Sequence, residues 1–244
     1  MPAARAEEAR ARMLALFPEG FEESEAAAVV ELAAYSERAE ARESLADLGE
    51  VEETAVEPGW EDAWRRFHRP VRIGRLWIGP SWERPDPDGV PVVVDPGRAF
   101  GTGGHPTTRL CLELLLAVEP TGLLDLGCGS GVLAVAAAKL GFAPVIALDL
   151  DEEAVAAARA TAVANGVEID VRPADVLVDP LPDAEVAVAN IARTAVVGVA
   201  SRFAGRRVLT SGYLAAERLS LPGWRHVDRL EDGGWAADRF ERVG

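Results

Sequence analysis

The densest cluster of residues with chemical potential is Asp125-Leu-Gly-Cys-Gly-Ser-Gly131. An apolar, strand-like run enters it and an alanine-rich helical run leaves it. In open α/β sheets that junction, beyond the carboxyl ends of the strands, is where ligands bind. Glycines there let the backbone approach a bound molecule closely, although a tight strand-to-helix turn explains them equally well. Position 132, where a dinucleotide fingerprint places its third glycine, is Val132, which weakens a nicotinamide reading. Asp149 closes the next strand-like run 18 residues after Gly131. A carboxylate at that place can accept hydrogen bonds from both hydroxyls of a ribose. Its structural alternative is a charge at a helix N-terminus, because Asp149-Leu-Asp-Glu-Glu153 introduces a helix, but Asp151 suits the cap better. Asp125 either orients an amino group of the ligand or holds the amides of the turn.

Two further segments aim at the same edge. Asp95-Pro-Gly-Arg-Ala-Phe-Gly-Thr-Gly-Gly-His-Pro-Thr-Thr108 is a loop rich in glycine and threonine that opens into a helix with Pro106 at its first position. Loops of this kind sit where ligands are gripped. His105 within it has two readings, general base or structural turn residue. Val186-Ala-Val-Ala-Asn-Ile191 ends another strand in a lone polar amide, so Asn190 emerges at the ligand edge. An amide oxygen can accept from an amine and aim its lone pair, yet it cannot serve as a strong base. Contact with the ligand alone is the other reading of Asn190.

These residues need a scaffold that brings them together. Apolar runs at 123–127, 144–149, 167–171, 185–190 and 206–211 alternate with helical stretches at 131–140, 152–164 and 192–203. That rhythm predicts a doubly wound parallel sheet in residues 91–244. Runs at 224–229 and 235–243 predict an antiparallel pair at one sheet edge. Residues 1–56 read as a small α+β unit: a helix over 6–17, a strand-like stretch within 21–35, a helix capped by Ser36 and stopped by Gly49, and a short strand over 51–56. Between them, residues 57–90 supply a linker helix with Trp60, Trp64 and Phe67 on one stripe, then one strand over 71–78.

Composition narrows the function classes. The formal charge of −15 argues against a broad nucleic-acid face and is compatible with either solubility or attraction of a basic protein substrate. The charged first ten residues show neither a leader nor a spanning segment, so the expected compartment is the cytoplasm, with no membrane partner. Three scattered histidines and two cysteines offer no metal-ligand spacing, and both cysteines read as free thiols. Nothing demands an oligomer, and the chain reads as a monomer.

The runs Trp60-Glu-Asp-Ala-Trp-Arg-Arg-Phe67, Pro96 to Thr108, Asp125 to Gly131, Asp149-Leu-Asp151 and Ala189-Asn-Ile191 resemble the ribosomal protein L11 methyltransferase (PrmA) family over about residues 58–244. The resemblance implies a Rossmann-like class I sheet dependent on S-adenosylmethionine, preceded by a ferredoxin-like domain that recognises the substrate. It implies that Thr108, Gly127, Asp149 and Asn190 contact the cofactor and that the loop from Phe100 through Gly101 and Thr102 to Gly103 covers it. Gly129 and Asp125 complete the expected cofactor set, and Asn190 is the expected catalytic residue. The implied reaction is N-methylation of amino groups, lysine side chains or an α-amine, of ribosomal protein L11. Rival readings are methylation of another protein lysine, as in related electron-transfer-flavoprotein methyltransferases, or of a small-molecule amine, and a binding module without catalysis. Gly104 stands where the family more often has threonine, and helix-like sequence begins where its first strand would lie.

Overall fold

In the computed structural model of the chain, the described residues are 9, 12–13, 16, 22–26, 29–34, 41–52, 69–95 and 103–243. The Ser36 cap, residues 53–56 of the expected strand, the Trp60 to Phe67 helix and the loop residues Phe100, Gly101 and Thr102 lie outside them. The chain divides into two units, Met1–Asp62 and Ala63–Gly244.

In the first unit the backbone is helical at Ala9, Arg12, Met13 and Leu16. Strands β1 (Glu22–Ala26) and β2 (Val29–Ala33) then pair antiparallel, from Glu22 opposite Ala33 to Ala26 opposite Val29. Helix α1 (Ala41–Leu45) follows. The single strand-like stretch expected over 21–35 is therefore a hairpin. Its first arm, Glu-Glu-Ser-Glu-Ala, has no apolar alternation to announce it. Arg12 ties the two helical parts together by donating to Asp47 Oδ1 at 2.6 Å and to the Ser44 carbonyl at 3.1 Å. Helix, hairpin, helix is the middle of the β-α-β-β-α-β arrangement.

The second unit opens with a three-stranded sheet. Strand β3 (Val71–Ile73) is antiparallel to β4 (Leu76–Gly79), and β4 is parallel to β5 (Val90–Val93). One strand was expected over 71–78. Gly74, at φ 53°, turns the chain between β3 and β4 instead, a left-handed conformation that glycine adopts without strain. β5 pairs in this small sheet, so the large sheet starts only after the next helix, α2 (Pro106–Leu116).

The large sheet comprises β6 (Leu123–Leu126), β7 (Val145–Asp149), β8 (Asp170–Pro173), β9 (Val186–Asn190), β10 (Arg207–Leu214), β11 (Trp224–Asp232) and β12 (Trp235–Arg242). Their order is β11-β12-β10-β9-β6-β7-β8. The five strands from β10 to β8 are parallel, and β12 lies antiparallel between β10 and β11. Helices α3 (Val132–Lys139), α4 (Glu152–Asn165) and α5 (Arg193–Arg202) make the crossovers. This is the doubly wound sheet with an antiparallel edge pair that the alternation of apolar runs predicts.

Burial explains the alternation. Leu123 joins the core formed with α2, α3 and α4, while Leu124 and Leu126 join the core formed with α5, Phe203, Tyr213 and Phe240. Strands covered on both faces read as continuous apolar runs. The small sheet contributes Ile73, Leu76, Ile78, Val92 and Val94 to the first of these cores. Both cysteines are buried and free. Among the described residues no helix is long and apolar enough to cross a membrane, and no group of three side chains could hold a metal ion.

Candidate active site

Four neighbouring strands, β9, β6, β7 and β8, end along one edge and build the site. At the end of β6 the chain passes through Gly127, Gly129 and Gly131 with φ of 78°, 52° and 78°. A Cβ on Gly127 would stand 2.4 Å from Ile191 Cγ2, and one on Gly131 would stand 2.9 Å from the Ala158 Cα. Handedness and close approach thus both demand glycine at these two places. The amides of Gly127 and Cys128 donate to the Leu148 carbonyl at 2.8 and 3.0 Å, which fastens the turn to β7.

The two aspartates do different work. Asp149, half-buried at the end of β7, accepts from the Gly129 amide through Oδ2 at 2.8 Å and from the Asp151 amide through Oδ1 at 3.0 Å. Asp151 caps α4, accepting from the Glu153 amide at 2.9 Å, so the cap and the cavity-facing carboxylate are separate residues. Each Asp149 oxygen keeps a lone pair for a ligand. Asp125 is fully buried beneath the turn and does not line the cavity. Its Oδ2 accepts from the Ala134 amide at 3.1 Å, and its Oδ1 has no protein partner. Burial pushes its carboxyl up to about 7; the Ala134 amide opposes the shift and the charge of Asp149 adds to it.

At the other side, Thr108 lies in the first turn of α2 and Asn190 at the end of β9. Asn190 Nδ2 donates to Thr108 Oγ1 over a long 3.4 Å, which turns the amide oxygen away from the threonine. His105 caps α2, with Nδ1 accepting from the Thr107 amide at 3.3 Å and lying 2.8 Å from Thr107 Oγ1. Its ring packs edge-on against Trp235 with centroids 5.0 Å apart. Burial, then the charge of Arg109, lowers its pKa. The geometry matches the structural reading of His105.

The edge encloses a cavity of about 370 Å³, within the range of ligand pockets. It brings together Thr108, Gly127, Gly129, Asp149 and Asn190. Sequence reasoning missed its far wall, Ala174 to Leu177 beyond β8, and its apolar rim residues Leu150 and Ile191. The signal was the carboxyl end of one more parallel strand. Gly103, the one described residue of the loop expected to cover the cofactor, is buried with φ 86°, and a Cβ there would stand 2.5 Å from Ile78 Cγ2.

A model of the family described as ribosomal protein L11 methyltransferase (PrmA) matches residues 2–237. The chain belongs to this family. A ribosomal protein L11 methyltransferase of Symbiobacterium thermophilum is 43% identical over 197 residues, covering 74% of this chain and 65% of the relative. The Azotobacter vinelandii relative of the same name is 44% identical over 183 residues, 69% of this chain and 63% of its own length. The chain therefore spans slightly under two thirds of these curated PrmA relatives. Among solved structures, a ribosomal protein L11 methylase of Lactobacillus delbrueckii subsp. bulgaricus superposes with a TM-score of 0.64 at 29% identity, covering 72% of this chain and 100% of that one. The large sheet is the Rossmann-like class I methyltransferase fold.

Proposed function

We propose that this chain is an S-adenosylmethionine-dependent N-methyltransferase of ribosomal protein L11, with its chemistry at the carboxyl edge of the large sheet. The observation that carries the reading is the sequence of groups along that edge. Thr108 and Asn190 stand at β9, the glycine turn at β6, Asp149 at β7 and an apolar wall at β8. Three steps between adjacent strands span about 14 Å. This suits an elongated ligand with a polar tail, a ribose and a flat base.

The residues fit the cofactor. Asp149 accepts the ribose hydroxyls, the glycine turn makes room for the nucleoside, and Leu150 and Val176 offer apolar surface to the base. The bound cofactor supplies an electrophilic methyl group. Asn190 accepts a hydrogen bond from the acceptor amine and aims its lone pair, while Thr108 holds the amide in place. The family resemblance implies that Phe100, Gly101 and Thr102, which lie outside the described residues, cover the bound cofactor. A lysine amine must shed its proton first, at a reference pKa of about 10.4, whereas an α-amine at about 7.7 to 8.0 is already partly neutral. His105, engaged in its cap, leaves that proton to solvent.

Residues 1–56 serve as the domain that recognises the protein substrate, 57–90 connect, and 91–244 carry the transfer. The family's printed substrate supports the choice of ribosomal protein L11 as acceptor. The working compartment is the cytoplasm, where ribosomes are found, and the chain acts as a monomer without touching nucleic acid. Incubation of large-subunit ribosomal proteins with the chain and labelled S-adenosylmethionine, followed by mass spectrometry, tests the proposal. Label on amino groups of L11 is expected; label on another protein alone, or none, overturns the substrate assignment.

A further inference from the structure

The wall beyond β8 is held from a distance. Residues 175–179 fold back on themselves: Asp175 Oδ1 accepts from the Leu177 amide and Asp179 Oδ2 from the Asp175 amide, both at 2.9 Å. These bonds leave carbonyls facing α5. Arg202, the last residue of α5, collects three of them. Its Nη1 donates to the Val176 carbonyl at 2.8 Å, and its Nη2 donates to those of Val178 and Asp179 at 2.9 and 2.7 Å. One turn earlier, Gly198 makes room for the wall's side chain, since a Cβ there would stand 2.7 Å from Leu177 Cδ2. Leu177 and Val178 are otherwise exposed, at 45% and 71%, so little buried apolar surface fixes this loop.

We propose that Arg202 is a positioning residue for the adenosine end of the bound cofactor, latching residues 175–179 against α5 so that Asp175, Val176 and Leu177 keep the shape of the cavity wall. The proposal rests on the cofactor reading above and deepens it. Only a planar, forked group with several donors reaches three divergent carbonyls at once; lysine offers donors from a single point. The charge also sits at the C-terminal end of α5, where the helix dipole favours a cation. The same helix begins just after Asn190, and its Ala195 lines the cavity near the transfer end. α5 thus bears on both ends of the cavity, directly through Ala195 and through the 175–179 wall by way of Arg202, which governs only the wall.

The consequence is a split between affinity and chemistry. In the full chain, Arg202→Met should weaken binding of S-adenosylhomocysteine and of adenosine at least fivefold by calorimetry, with Arg202→Lys recovering part of the loss. Gly198→Ala, which crowds Leu177 from the same helix and pushes the wall away from it, should weaken both ligands in the same direction. The KM for S-adenosylmethionine should rise while the single-turnover rate at saturation stays within twofold. A role in stability alone would lower the melting temperature and leave the affinity of the folded protein unchanged. That result in Arg202→Met, or a fall in rate without a fall in affinity, overturns the latch. Should Arg202→Met fail to fold, unchanged affinity in Gly198→Ala and Arg202→Lys overturns it equally. A wild-type chain that binds no S-adenosylhomocysteine removes the cofactor reading before any variant is compared, and the latch with it.

Discussion

Asp149 holds the glycine turn with one oxygen and the start of α4 with the other, so its carboxylate is oriented before any ligand arrives. Asp149→Ala is expected to weaken S-adenosylmethionine binding by about 1.5 to 3 kcal/mol, the worth of hydrogen bonds to a charged acceptor, while the chain still folds. Calorimetric titration checks it, and wild-type affinity in the variant would remove the ribose contact. Asn190→Ala should lower single-turnover rate more than cofactor affinity, because misalignment at the reacting centre acts on the barrier. Equal losses would reduce Asn190 to a cofactor contact. Asp125 gives a pH signature. Its folded pKa of about 7 lies above its ordinary 3.8, so the folded chain holds a proton that the unfolded chain releases between those values. The stability this contributes is complete below about pH 4 and is lost as the pH rises through 7. Relative to Asp125→Asn, which has no carboxyl to ionise, the wild type should lose stability steadily from pH 4 to 7 in urea denaturation. Parallel profiles would contradict the assignment.

Among the elements, β5 is secured by a side chain acting as a strand. Asn165, the last residue of α4, accepts from the Val93 amide at 2.8 Å and donates to the Val93 carbonyl at 2.6 Å, with a further bond to Thr161 at 2.8 Å. Asn165→Ala leaves both Val93 groups without that partner and should cost about 1 to 3 kcal/mol in urea denaturation. Asn165→Asp, which cannot donate, should cost a similar amount; a neutral result for both would mean that water replaces the side chain. No local pattern announces such a contact, because the partners lie 72 residues apart. The large sheet was legible, since strands buried on both faces leave apolar runs and Asp151 and Pro106 punctuate the helices. The hairpins β1–β2 and β3–β4 were each read as one strand, as short arms carry too few residues to show a period. In the site, the glycine turn and Asp149 were legible from spacing along one crossover. The 175–179 wall was not, because its anchor, Arg202, is reached only through the fold.

For the whole molecule, the division into Met1–Asp62 and Ala63–Gly244 bears on where recognition resides. The described candidate residues that line the cavity, Thr108 to Asn190, all lie in the second unit. A fragment starting near Pro58 should therefore bind S-adenosylmethionine, seen as a ligand-dependent rise in melting temperature, yet fail to methylate ribosomal protein L11. A folded fragment that methylates at the full-length rate would overturn the recognition role proposed for residues 1–56.

The placement of β12 inside the sheet has a consequence for how the protein is made. Synthesis is vectorial, and β10 emerges with a long open edge whose permanent neighbour is not β11, the next strand to appear, but β12. The 28 residues from Ala215 to Arg242 must be polymerised before that edge is covered. At 5 to 20 residues per second this takes roughly 1 to 6 seconds. Until β12 is in place, β11 lacks its neighbour in this sheet and β10 keeps one backbone edge unpaired. The sheet cannot close around its core on that side until β12 slides between two strands that preceded it.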